Sequence, residues 1–289
     1  MPIKLLALDL DGTLLNSEGQ ISDGNKSAIR AAEDKNVLVT IATGRRFRDA
    51  RPVALEAGFN APILTHNGAL IKFAESLETI SVDLLEDDAV LEILRVGKEY
   101  GGNALVSADP VGKGTLFYDT ISDDNVPLKR YVIWATRLHG NEAEDAVHHV
   151  ESLESIVEPN EIIHISFSGT CNAMFDFQMT LEDELGDSVN ILATIYPHLD
   201  FTLLDILPPH ASKAAGLDKL ARLHGFSHED IMVIGDNFND LEMLEYAGTS
   251  VVMGNAGSSL LEREEFYTTL TNNEDGVAAA IEEFILAVK

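Results

Sequence analysis

The chain has 289 residues, and its 20 Lys and Arg stand against 48 Asp and Glu for a formal net charge of −28. Hydrophobic residues make up 45% of it, enough for a buried core, which excludes a disordered acidic tail. The lone Cys171 excludes an intrachain disulfide or a cysteine metal cluster, no apolar stretch approaches the ~20 residues of a membrane helix, and an acidic surface disfavours nucleic-acid backbones.

The first residues, Met1-Pro2-Ile3-Lys4, run into Leu5-Leu6-Ala7-Leu8 and then meet Asp9 and Asp11. That start is too short and too acidic for a signal peptide, so a cytoplasmic protein is expected. Lys4–Leu10 is a continuous apolar run of the kind a buried parallel strand shows. A helix over Ser22–Asn36 follows, then a strand at Val37–Ala42, a helix over Arg46–Gly58 and a strand at Pro62–Thr65. Strands and helices alternating at this spacing predict a parallel sheet with helices on both faces.

The rhythm changes at Asn67-Gly68, after which Ala69–Phe73 and Thr79–Val82 read as a hairpin. Residues 83–207 read as a separate unit with helices at Glu86–Tyr100, Pro127–Leu138, Glu142–Leu153 and Cys171–Leu185. Its strands are expected near Ala104–Ser107, Thr115–Tyr118, Glu161–Ser168, Val189–Tyr196 and Phe201–Leu207. Helices packed on one face of a mainly antiparallel sheet is the plain expectation. After Pro208-Pro209 the first pattern resumes: a helix over Ser212–His224, a strand at Ile231–Gly235, a helix over Phe238–Ala247, a strand at Thr249–Met253 and a helix over Asp275–Val288. Residues 1–82 and 208–289 thus form one α/β domain, with 83–207 inserted into it.

The chemistry gathers where strands end. Asp9-Leu10-Asp11-Gly12-Thr13 closes the first strand, at the carboxyl edge where open α/β sheets bind ligands. In extended chain Asp9 and Asp11 face the same way, and two neighbouring carboxylates call for a cation or a shared proton. A second acidic segment, Gly235-Asp236-Asn237-Phe238-Asn239-Asp240, follows the apolar strand Ile231–Ile234. Asp236 facing Asp9 would supply the one or two carboxylates that suit Mg²⁺. Thr43 and the Gly44 amide, in Thr43-Gly44-Arg45, are placed to hydrogen-bond a phosphoryl oxygen. Lys213 opens a helix, where a cation opposes the helix dipole; that placement suggests an anionic partner, with a solvated lysine as the commoner explanation.

These four segments in this order resemble the haloacid dehalogenase superfamily, and within it the Cof-type, subclass IIB phosphatases. Asn67-Gly68-Ala69, Met253-Gly254-Asn255-Ala256 and Asn273-Glu274-Asp275-Gly276-Val277-Ala278 are similar to the family's later signatures. The resemblance implies a Rossmann-like parallel-sheet core with an inserted α+β cap that sets specificity. It implies a Mg²⁺-dependent hydrolase of a small-molecule phosphomonoester, such as a sugar phosphate, acting through an aspartyl-phosphate. Asp9 would be the nucleophile and Asp11 the general acid and base. Asp9, the Asp11 carbonyl and Asp236 would hold Mg²⁺ with Asp240 behind them, while Thr43, Gly44, Lys213 and Asn239 would bind the phosphate. A phosphomutase acting on a hexose phosphate and a non-catalytic sugar-phosphate sensor are the competing readings.

Two positions depart from the family pattern: Ala214 stands where Gly follows the lysine, with Gly216 two residues on, and His66 stands where Ser or Asn is usual. His148 and His149 are expected to diverge, His164 to be a satisfied strand residue, and Tyr131, Trp134 and Leu138 to form a packing stripe. Lys113, between Gly112 and Gly114, is the cap feature to probe, though a flexible solvated loop is the plainer expectation there. The sequence leaves the oligomeric state open.

Overall fold

The computed structural model describes residues 2–287. Met1, Val288 (the last residue of the expected terminal helix) and Lys289 lie outside them. The contacts divide the chain into two compact units: residues 2–45, Ala50–Ser76 and 212–287 form one, and Arg46–Asp49 with Leu77–Ala211 form the other.

In chain order the elements begin with β1 (Leu5–Leu8), α1 (Asp23–Asp34), β2 (Leu38–Ile41), α2 (Phe47–Ala57), β3 (Ile63–Thr65) and β4 (Leu70–Lys72). Next come β5 (Thr79–Val82), α3 (Asp87–Glu99), β6 (Leu105–Ala108), β7 (Thr115–Tyr118), α4 (Val126–His139), α5 (Ala143–Ala146) and β8 (Val147–His149). Then follow β9 (Ile162–Gly169), α6 (Cys171–Leu185), β10 (Asn190–Tyr196) and β11 (Phe201–Leu207). The chain closes with α7 (Lys213–Leu223), β12 (Ile231–Gly235), α8 (Leu241–Tyr246), β13 (Thr249–Val252), α9 (Ser258–Leu261), β14 (Tyr267–Thr268) and α10 (Gly276–Ile281), the last continuing as a π-helical turn over Glu282–Leu286.

The first unit is built on a parallel sheet of order β14-β13-β12-β1-β2. Leu5, Leu6, Ala7 and Leu8 of β1 and Ile231, Met232, Val233 and Ile234 of β12 are all fully buried, as central parallel strands require. These two strands pair in register from Leu5↔Ile231 to Leu8↔Ile234, so their carboxyl ends, carrying Asp9 and Asp236, arrive side by side. β2 pairs on the other side of β1, bringing Thr43–Arg45 to the same edge. This is the expected α/β architecture; β14 and α9 are too short to carry a periodic signal.

The second unit is a six-stranded sheet of order β10-β11-β9-β6-β7-β8, antiparallel apart from the parallel pair β7 and β8. One face packs Val106, Ile165, Phe167, Leu204 and Ile206 against Ile93 of α3 and Phe177 and Leu181 of α6. Leu105 and Leu116, of opposite parity in their strands, pack instead with Leu128 and Val132 of α4. The sheet therefore carries helices on both faces, correcting the one-face expectation. The helix expected over Glu142–Leu153 is also cut short: α5 ends at Ala146, and Val147–His149 pair with Leu116–Tyr118 as β8. His148 and His149 still diverge, now through the alternation of a strand. Among the described residues, no helix is long and apolar enough to cross a membrane.

Buried charge ties α2's first turn into this second unit. Arg46 Nε and Nη2 donate to Asp49 Oδ2 and Oδ1 at 2.8 and 2.9 Å. The Tyr131 hydroxyl donates to Asp49 Oδ2 at 2.8 Å, accepts from Arg46 Nε at 3.0 Å, and His139 Nε2 meets Asp49 Oδ1 at 2.8 Å. Tyr131 is therefore part of a polar network as well as a neighbour of Trp134, whose ring lies 5.7 Å away. Lys113 pairs with Glu142 Oε1 at 2.6 Å, and the Asp109 carboxylate accepts the Gly112 and Gly114 amides, so that loop is tied down rather than loose.

Candidate active site

The first unit brings three carboxylates together. Asp9, Asp236 and Asp240 each offer an oxygen within 4.8 Å of the others. Lys213 reaches into this group: its Nζ donates to Asp9 Oδ1 and to Asp240 Oδ1, both at 2.6 Å. Asp9, Lys213 and Asp240 are buried, and Asp236 is half-buried.

Local structure fixes each of them. The Asp9 amide donates to Ile234 O at 2.9 Å, continuing the β1–β12 ladder one step beyond the strand. The chain then turns at Gly12, whose φ of +83° favours glycine; a Cβ there would come within 2.3 Å of Asp236 Oδ2. Thr13 Oγ1 donates to Asp236 Oδ1 at 2.9 Å, so the Asp-Gly-Thr turn reads the neighbouring strand's carboxylate directly. Asn255 Nδ2 donates to Gly12 O at 2.8 Å, and Asn272 Nδ2 to Leu15 O at 2.9 Å, bracing the turn from the far side.

Asp240 is held by its own loop. Its Oδ2 accepts the Asp236 and Asn237 amides, both at 3.0 Å, in a capping box, while its Oδ1 takes Lys213. Asn239 lies half-buried in the same turn. Lys213 is the first residue of α7, with Ser212 as N-cap accepting from the Ala215 amide at 3.2 Å. The helix thus starts normally despite Ala214. The close approach is made by Gly216 instead: a Cβ there would meet the Gly68 Cα and O at 2.9 Å.

Thr43 Oγ1 accepts the Arg45 amide at 3.1 Å, and the Asn67 amide donates to Thr43 O at 3.0 Å. Gly44 faces the Asn67 side chain, whose Oδ1 would lie 3.1 Å from a Cβ. His66 is buried with φ +52°, and its amide donates to Arg45 O at 2.9 Å. The loop after β3 therefore clamps the loop after β2. Asp11 stands apart from the carboxylate group: Arg45 Nε and Nη2 donate to its Oδ2 and Oδ1 at 2.7 and 2.6 Å. The sequence reading gave Arg45, Thr13, Asn255 and Asn272 no individual role. Their common signal was adjacency to a motif at a strand's carboxyl end.

Electrostatics set the chemistry of the group. Burial, then the Asp240 charge, pushes the Asp9 carboxyl well above its ordinary range, and Lys213 only partly offsets them. Burial and Asp240 likewise push Asp236 up to about 6. Burial works against the Lys213 ammonium, but Asp240 and Asp9 outweigh it and keep it charged. Three hard oxygen donors that repel one another fit a divalent cation such as Mg²⁺ by their chemistry, and a cation would relieve that repulsion.

The sequence pattern of the haloacid dehalogenase-like hydrolases matches residues 6–281. The chain belongs to that family. It is 33% identical to 5-amino-6-(5-phospho-D-ribitylamino)uracil phosphatase YcsE of Bacillus subtilis, over 98% of this chain and 96% of that one. A haloacid dehalogenase-like hydrolase from Bacteroides thetaiotaomicron superposes with a TM-score of 0.78 at 26% identity, over 97% of this chain and 99% of that one. A haloacid dehalogenase subclass IIB sugar phosphatase has the same fold, with a TM-score of 0.75 at 22% identity over 97% and 98% of the two chains. The fold is thus a haloacid dehalogenase core with an inserted cap, and the chain is a phosphatase of this family.

Proposed function

We propose that the chain is a Mg²⁺-dependent phosphatase that hydrolyses a small phosphorylated metabolite through a phosphoryl group carried on Asp9. The observation that carries this reading is the buried Asp9 carboxylate, with Lys213 at 2.6 Å and the Asp236 and Asp240 carboxylates within 4.8 Å. A binding protein needs a cationic pocket for phosphate; a buried carboxylate at its centre serves a nucleophile. The relative named for a phosphorylated ribitylaminouracil supports a sugar-like or polyol phosphomonoester as substrate.

Asp9, the Asp11 main-chain carbonyl and Asp236 would hold Mg²⁺, which when bound supplies positive charge against the phosphoryl oxygens and the nucleophile. Asp240 braces the loop that carries Asp236 and keeps Lys213 aimed at the phosphoryl site. Thr43, the Gly44 amide, Lys213 and Asn239 hold the phosphoryl oxygens, so that the Asp9 oxygen, phosphorus and leaving oxygen lie in line. Asp11 gives a proton to the leaving alcohol and then takes one from the attacking water. Selection of the leaving group falls to the inserted segment, residues 83–207.

A panel of sugar phosphates, nucleotides and p-nitrophenyl phosphate, assayed with and without Mg²⁺, tests this. Release of inorganic phosphate that needs Mg²⁺ and falls about 10³-fold or more in Asp9→Asn is expected. Conversion of a hexose phosphate to its isomer without free phosphate would put a mutase in its place.

A further inference from the structure

The geometry points to Arg45 as a positioning residue that holds the Asp11 carboxyl for proton transfer, an inference resting on the phosphatase reading. Asp11 is the residue that the reaction asks to move protons, yet its side chain is 59% exposed. Two hydrogen bonds, from Arg45 Nε at 2.7 Å and Nη2 at 2.6 Å, fix both oxygens and with them the plane of the carboxyl group. An ion pair with one partner this exposed does little for the stability of a fold, so its geometry asks for another reason.

Arg45 is itself held rigidly. Its amide donates to Thr43 Oγ1 and its carbonyl accepts from the His66 amide, whose φ is +52°. Parallel pairing of β1 with β2, up to Leu8↔Ile41, brings this loop beside the turn that carries Asp11. The planar guanidinium is thus delivered from a fixed backbone to an exposed carboxyl group.

In the first half-reaction an Asp9 oxygen bonds to phosphorus while the bond to the leaving oxygen breaks with its electron pair. The Asp11 proton passes to that oxygen and leaves a carboxylate. In the second, water bonds to phosphorus, its proton goes to Asp11, and the Asp9–phosphorus bond breaks. In both, one Asp11 oxygen leaves the guanidinium to exchange the proton while the other stays on it, so the carboxyl group swings on a tether.

The test compares kcat for an alkyl phosphate, glycerol phosphate, with kcat for p-nitrophenyl phosphate, whose leaving group departs without a proton. The alkyl-to-aryl ratio is expected to fall about 10-fold or more in Arg45→Ala, and millimolar guanidinium to restore it. Arg45→Lys keeps the charge but lacks the fork, and the same fall is expected there should the alanine variant fail to fold. A ratio that stays within about twofold of wild type in the folded variants overturns the role of Arg45 and leaves the phosphatase reading standing. Wild-type turnover that survives Asp9→Asn overturns that reading and this inference with it.

Discussion

Asp9, Asp236 and Lys213 were legible because each is a charged residue at the end of an apolar run or the start of a helix, where a charge asks for a partner. The Arg46–Asp49–Tyr131–His139 network was not legible, since His139 lies 90 residues from Asp49 and no local pattern joins them. Its energetics are nonetheless specific. Burial pushes the Asp49 carboxyl up, but Arg46 and the His139 and Tyr131 hydrogen bonds outweigh it, holding it at about 2 against an ordinary 3.8. A carboxyl depressed on folding stabilises the protein above its unfolded pKa and loses that contribution as pH falls. Asp49 is therefore expected to contribute about 2 kcal/mol near neutrality, lost between about pH 4 and pH 2. Asp49→Ala leaves a buried guanidinium unpaired and is expected to cost about 3–5 kcal/mol. Urea unfolding followed by the fluorescence of the chain's single tryptophan, Trp134, 5.7 Å from Tyr131, measures both. A gap between wild type and variant that narrows by about 2 kcal/mol as pH falls to 2 would bear the assignment out; a constant gap down to pH 2 would refute it.

Elements with a strong period were read within a residue or two: α6 runs over Cys171–Leu185 as expected, and β11 over Phe201–Leu207. The misses have a physical cause. Glu142–Leu153 carries a helical pattern, but Val147–His149 gain backbone hydrogen bonds from β7, and pairing across the chain overrides local preference. The start of α7 is the sharper case. The position that the family pattern gives to glycine holds half-buried Ala214, and the close contact between helix and loop is made at Gly216 against Gly68. Gly68 itself has φ +89° and lies against the Ser212 carbonyl, 2.1 Å from where a Cβ would stand. Gly216→Ala is therefore expected to cost about 1–3 kcal/mol and to reduce kcat by displacing Lys213. Ala214→Gly is expected to cost only the helix propensity of about 1 kcal/mol, with kcat retained. Thermal melts and steady-state kinetics on the pair separate the two positions; equal losses of kcat would show that the family's glycine position matters here too.

A net charge of −28 acts on the whole molecule through self-repulsion, while at the carboxylate group repulsion acts between neighbours, and salt distinguishes the two. Potassium chloride screens exposed charges beyond ~10 Å at 0.1 M and is expected to raise the melting temperature of the metal-free protein gradually. Mg²⁺ at matched ionic strength is expected to raise it further, since an ion that binds only the folded state adds about 2.7 kcal/mol at a hundred times its Kd. Asp236→Asn separates the specific part from the general one. The variant removes a charge that burial and Asp240 already disfavour, as its elevation to about 6 reflects, so without metal it is expected to melt no lower than wild type. It should respond to potassium chloride as wild type does and lose the additional Mg²⁺ increment. An increment that persists in Asp236→Asn would locate the ion elsewhere on the acidic surface and remove the site's claim on it.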